Sequence, residues 1–64
     1  MDDRMLKQFV NLSESLHFGR ASEASHVSPS ALSRSIRRLE REVGAALFER
    51  NNRSVSLTRA GSLF

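Results

Sequence analysis

No cysteine occurs among the 64 residues, so the chain has neither a disulfide framework nor a thiolate metal site. No run approaches the roughly 18 apolar residues that a membrane helix needs. Met1-Asp2-Asp3 is acidic and leads into no apolar stretch of its own, so the start does not read as a secretory signal. His17 and His26 have no cysteine or carboxylate pair near them, and a metal site is not expected. There is no nucleophile–base pair, no glycine-rich phosphate loop and no paired acid, so enzyme chemistry is not expected either. Repeats, low-complexity tracts and interdomain linkers are missing too. A single small domain is left, of a size whose core is marginal without staples. The lack of cysteine suits a reducing cytoplasm.

Lysine is nearly missing as well. Nine of the ten basic residues are arginine. Arginine suits bidentate contacts to phosphate and guanine better than lysine does. The charge is also uneven. Up to Val27, Arg4, Lys7 and Arg20 stand against Asp2, Asp3, Glu14 and Glu23, a net −1. From Ser28 onward, seven arginines stand against Glu40, Glu42 and Glu49, a net +4. A polyanion is the natural partner of the C-terminal half.

That half opens with the clearest pattern in the chain. Ser28 is a good N-cap, and Pro29 follows at the first helical position, where its missing N–H costs nothing. Leu32, Ile36, Leu39 and Val43 recur at helical spacing as one apolar stripe. At about 100° per residue, Ser30, Arg34, Arg37, Arg38 and Arg41 fall on the opposite side, with Ser33 on the flank. Gly44 stops the helix where a left-handed residue is wanted. A helix over 29–43 is expected.

Upstream, Asp2 or Asp3 can cap a first helix running to about Leu16. Its apolar side is Met5, Leu6, Phe9, Val10, Leu12 and Leu16, interrupted by Ser13, with Asn11 exposed. His17-Phe18-Gly19 breaks the helix, with Phe18 turned inward. A short second helix is expected from about Arg20 to Ser25, then a turn at His26-Val27 with Val27 packed inward. Two helices joined by a tight turn, the second carrying arginines opposite aliphatics, are the sequence form of a helix-turn-helix DNA reader.

Downstream, residues 47–50 and 54–57 favour strand, and Asn51-Asn52-Arg53 between them has turn composition. The expectation is a hairpin, the wing of a winged helix-turn-helix. Thr58 then reads as the N-cap of a fourth helix. The expected fold is mainly α with a small β-hairpin, in two parts: residues 1–57 as the winged domain, and 58–64 as the first turns of a further helix. A chain that stops there, on Leu63 and Phe64, reads as a fragment.

At this point the chain resembles the DNA-binding domain of LysR-type transcriptional regulators. The resemblance rests on Phe18, Arg20-Ala21-Ser22, Val27-Ser28-Pro29-Ser30, Leu32-Ser33-Arg34, Ile36, Leu39-Glu40, Gly44, Leu47-Phe48, Arg50, Leu57-Thr58 and Ala60-Gly61. It covers essentially the whole chain. His17 to Arg20, His26 to Ser30 and Asn52 to Val55 narrow it to one subgroup. Two positions depart from the pattern. Ser25 replaces a large aliphatic residue, which weakens a core contact. Ala31 replaces a hydroxyl residue or proline near the DNA.

The resemblance implies that Pro29, Ser30, Ser33, Arg34 and Arg37 face the major groove. Recognition-helix N-termini do reach base edges, and arginine can bridge guanine O6 and N7. The competing reading is capping or solvent exposure for Ser30 and Ser33, and surface ion pairing for Arg34, with Glu40 and Glu42 as local partners of Arg37 and Arg38. Arg20, Ser22, Arg38, Arg50 and Arg53 are candidates for the DNA backbone or the wing's groove. Local packing competes for Arg20 and Ser22, and a solvated turn for Arg50 and Arg53. The expected partner is double-stranded operator DNA. The resemblance also implies a homodimer or tetramer of the full-length protein, paired through the helix that starts at Thr58. It leaves RNA polymerase open as a further partner, and it implies a bacterial, nucleoid-associated location without membrane contact. No cofactor is expected in these residues, because the family binds its small-molecule effector in a C-terminal domain. A protein–protein adaptor and a nonspecific architectural binder remain as alternatives.

Overall fold

Each helix begins on a side chain that takes an otherwise orphaned N–H. In the computed structural model, which describes residues 2–64, Asp2 Oδ1 accepts the Met5 N–H at 2.8 Å and opens α1 (Asp3–Ser15). Leu16 ends it in a left-handed conformation with φ 52°. The His17 ring accepts the Arg20 N–H through Nδ1 at 3.1 Å and opens α2 (Phe18–Ser25). Ser28 Oγ accepts the Ala31 N–H at 3.1 Å and opens α3 (Pro29–Val43), which Gly44 closes at φ 84°. Thr58 Oγ1 accepts the Gly61 N–H at 3.0 Å and opens α4 (Arg59–Leu63). Between α3 and α4 lie β1 (Phe48–Arg50) and β2 (Val55–Leu57), paired antiparallel with Phe48 opposite Leu57 and Arg50 opposite Val55.

The core is built mainly from the stripe of α3. Leu32, Ile36 and Leu39 are fully buried against Met5, Phe9 and Leu12 of α1, Ala21 of α2, and Leu47 and Phe48 at the start of the hairpin. Phe18, Val27, Val43, Val55 and Leu57 pack at its margin. Burying a leucine or isoleucine side chain is worth about 1.5–3 kcal/mol, so these contacts, rather than intrinsic helix propensity, hold the three helices together. Polar ties supplement them. Ser35 Oγ donates to Gln8 Oε1 between α3 and α1. Asn11 Nδ2 donates to Ser25 Oγ at 3.0 Å between α1 and α2. Ser25 thus ties α2 to α1 by a hydrogen bond, and Asn11 is half-buried rather than exposed as expected.

Three other expectations are corrected. Val10 is 48% exposed, so the apolar side of α1 is narrower than its composition suggests. The second helix starts at Phe18, two residues before the expected position, because the His17 ring caps it. Both strands are one residue shorter than expected at their N-terminal ends. Val27, Phe18 and the caps at Ser28, Gly44 and Thr58 lie as the sequence suggests.

The wing is locked to the helices at both ends. Thr58 Oγ1 donates to the Ala46 carbonyl at 2.6 Å, and the Thr58 N–H donates to the Leu47 carbonyl at 3.0 Å. Gly61 presses against the same carbonyl. A Cβ at Gly61 would lie 2.0 Å from Leu47 O, so only glycine fits. Phe64 ends the chain edge-on to Phe9, with ring centroids 5.1 Å apart.

Candidate nucleic-acid interface

α3 serves the core and the surface at once. Its buried stripe anchors it, and its outer face carries Ser30, Arg34, Arg37, Arg38 and Arg41, all exposed. Arg38 approaches Glu42 at 3.9 Å, an exposed i,i+4 pair of little energetic consequence. Among the described residues no carboxylate pairs with Arg34, Arg37 or Arg41. The competing reading, in which Arg37 or Arg38 pairs with Glu40, does not hold among the described residues, because Glu40 is engaged elsewhere. Pro29 and Ser30 are exposed at the N-terminus of α3, where the partial positive charge of the helix end adds to that of the arginines. Ser28 Oγ and Ser30 Oγ lie 3.3 Å apart. Ala31 is half-buried beside this face.

Glu40 has a role that the sequence did not reveal. Its Oε2 accepts the Leu47 N–H at 2.8 Å and the Phe48 N–H at 3.2 Å, and its Oε1 lies 3.4 Å from Arg50 Nη2. One carboxylate therefore fixes the entry to β1 against the C-terminal half of α3. The only sequence signal was its place on the flank, beside the Val43 and Ile36 side of the stripe.

Arg50 and Ser33 meet on that same flank. Arg50 Nη1 donates to Ser33 Oγ at 2.8 Å. The Arg50 guanidinium carbon also stands 5.1 Å over the Phe18 ring centroid, and the Arg50 side chain is only 21% exposed. Arg50 therefore turns into the domain instead of outward toward a backbone. Ser22 is turned in as well. It is 3% exposed and its Oγ donates to the Gly19 carbonyl at 2.8 Å, so of its two readings, phosphate contact and local packing, the fold supports packing.

Arg20 and Arg53 remain on the surface. Arg53 sits in a wing turn built by Asn51, whose Oδ1 accepts the N–H groups of Arg53 and Ser54 at 2.8 and 2.9 Å. That Asx turn presents Arg53 without any demand on its side chain. Sequence reasoning also passed over Arg4. It lines, with Arg34, Arg38 and Arg41, an open groove of about 420 Å³ between the start of α1 and α3. No spacing rule reveals it, because the two helices meet only in the folded chain. Among the described residues there is no group of His, Cys, Asp or Glu that could hold a metal ion, and no helix is long and apolar enough to cross a membrane.

A trihelical core, a capped arginine-faced third helix and a two-stranded wing define a winged helix-turn-helix domain. Comparison with known proteins places it more narrowly. Residues 4–62 match the model of the bacterial regulatory helix-turn-helix proteins of the lysR family, and the chain belongs to that family. It is 61% identical over 61 residues to the HTH-type transcriptional activator IlvY of Salmonella typhimurium, covering 95% of this chain and 21% of the relative. The subgroup resemblance of the His17, His26 and Asn52 tracts agrees with this relative. Among solved structures, the CbnR DNA-binding domain in complex with DNA superimposes with a TM-score of 0.94 at 36% identity, covering all of this chain and 74% of that one. The BenM DNA-binding domain bound to benA site 1 DNA gives 0.92 at 38% identity, covering all of this chain and 72% of that one. The chain spans about a fifth of the length of the first curated relatives it matches.

Proposed function

We propose that this chain reads double-stranded DNA for a bacterial transcriptional regulator, with α3 in the major groove and the turn of the wing on the backbone or in the minor groove. The observation that carries it is the outer face of α3, where Arg34, Arg37 and Arg41 have no acidic partner among the described residues. Arginines clustered without acidic partners repel one another and are ready to receive phosphates and base edges. The solved relatives named above are complexes with DNA, which supports the same use here. Pro29, Ser30, Arg34 and Arg37 are the base-facing set, with Ser33 on its flank. Arg20, Arg38 and Arg53 meet phosphates, joined by Arg4 from its groove. Arg50 and Ser22 act from inside the domain.

The role is binding, not catalysis. The regulator acts in the bacterial cytoplasm, takes its effector in a region outside these residues, and works as a dimer or tetramer joined through the helix that α4 begins. RNA polymerase is its further partner when it activates.

Fluorescence anisotropy of the chain on labelled duplexes tests the reading. Affinity should fall steeply as salt rises, because each neutralised phosphate releases counterions. A sequence enriched from a random duplex pool should bind more tightly than a scrambled duplex. A ratio near one would indicate a nonspecific architectural binder, and no salt-dependent binding at all would indicate a protein adaptor.

A further inference from the structure

We infer that Arg50 is a specificity-determining residue that never touches DNA: it fixes the Ser33 hydroxyl as a hydrogen-bond donor toward the base that Ser33 faces. The inference rests on the DNA-reading role proposed above.

A serine hydroxyl has one donor and two acceptor positions, whereas a guanidinium only donates. Arg50 Nη1 donates to Ser33 Oγ at 2.8 Å, so the Ser33 proton cannot point at Arg50. Nor is that proton used by the helix. Ser13 and Ser22 return theirs to carbonyls three residues back, Val10 and Gly19, but Ser33 makes no such bond among the described residues. The proton is left to whatever lies against α3. The contact is charge-assisted, which strengthens Oγ–H as a donor and disfavours a second N–H approaching beside the cation. Arg50 is not free to leave, since Glu40 Oε1 at 3.4 Å and the Phe18 ring at 5.1 Å hold its other sides.

The bases then separate by chemistry. In the major groove guanine and thymine offer only acceptors, at O6, N7 and O4. Cytosine presents only an amino group, and adenine an amino group beside its own N7 acceptor. The wild-type chain should disfavour cytosine at the base facing Ser33, by about three- to tenfold for one hydrogen bond.

Selection from a random duplex pool tests this with four proteins: wild type, Ser33→Ala, Arg50→Met and the double variant. Met keeps the apolar stem against Phe18 and removes the donor. Ser33→Ala should flatten the preference at one base pair. Arg50→Met should flatten it at the same pair by admitting cytosine, and should leave other positions intact. In the Ser33→Ala background, Arg50→Met should change nothing more at that pair. Thermal melts accompany each variant. Where Arg50→Met is unfolded at the assay temperature, Arg50→Leu is scored the same way, because it too packs against Phe18 and offers Ser33 no donor. Loss of preference at all positions together would make Arg50 a support of the wing only and overturn the inference. So would an unchanged preference in Arg50→Met, or an enriched site with no cytosine-excluding position sensitive to Ser33. A wild-type pool with no enriched sequence would overturn the DNA-reading role and this inference with it.

Discussion

Gly61 and Gly44 do different jobs, and alanine separates them. At Gly61 the new Cβ would meet the Leu47 carbonyl at 2.0 Å, and that carbonyl already takes the Thr58 N–H. Backbone must move, so Gly61→Ala should cost about 1–3 kcal/mol or more and partly undock α4 from the hairpin. At Gly44 a Cβ would meet nothing, and only the left-handed φ of 84° is strained. Gly44→Ala should cost about 1–2 kcal/mol with the hairpin intact. Denaturant melts give the sizes, and Leu47 and Thr58 amide exchange tells the two apart. On the binding face, Arg34→Ala should weaken an enriched site by about 1–3 kcal/mol and relax preference at one position. Equal loss on enriched and scrambled duplexes would instead mark Arg34 as a phosphate contact. Residue roles were legible in the sequence where they depend on neighbours in the chain. The caps at Ser28 and Thr58 and the left-handed Gly44 are of this kind. Arg50, Ser22 and Glu40 were not legible, because their partners Ser33, the Gly19 carbonyl and the Leu47 N–H are set by packing or by a turn of helix.

Among the elements, α3 was the most legible, since its stripe, its arginine face and both its ends are written in one continuous segment. α2 was less so. Its start depends on the His17 ring accepting an N–H, and histidine is not among the usual capping residues. α1 looked broader on its apolar side than it is, because periodicity does not tell which aliphatics find a neighbour; Phe9 meets Phe48 and Phe64, whereas Val10 meets solvent. The wing was legible as a hairpin but not as a tethered one. Glu40 makes it an extension of α3, holding two N–H groups of the Leu47-Phe48 entry with one oxygen. Glu40→Ala should leave those groups unpaired and release Arg50. A loss of about 1–3 kcal/mol is expected, with β1 and β2 amides exchanging faster while the α1–α3 core keeps its protection. Uniform loss of protection through the whole chain would contradict a local tether.

For the molecule as a whole, size sets the mode of binding. The longest dimension is 28 Å, less than the roughly 34 Å between equivalent major-groove faces one DNA turn apart. One domain therefore covers one half-site. Two domains joined through an extended α4 would gain about 10²–10⁴ in apparent affinity by effective concentration alone. The 64-residue chain should bind a single half-site weakly, and a version continued through the family's helix should form dimers and bind the paired site tightly. Sedimentation and gel shifts on both lengths check this; equal affinity for the paired site would show that α4 plays no such part. The central claim is that the outer face of α3 is the DNA-reading surface. Amide chemical-shift mapping of the 64-residue chain on adding an enriched duplex tests it most directly. Shifts should concentrate at 28–38 and at the wing turn 51–54, with the outer face of α1 around Leu6 and Val10 unmoved. Shifts confined to α1, with 28–38 silent, would contradict it.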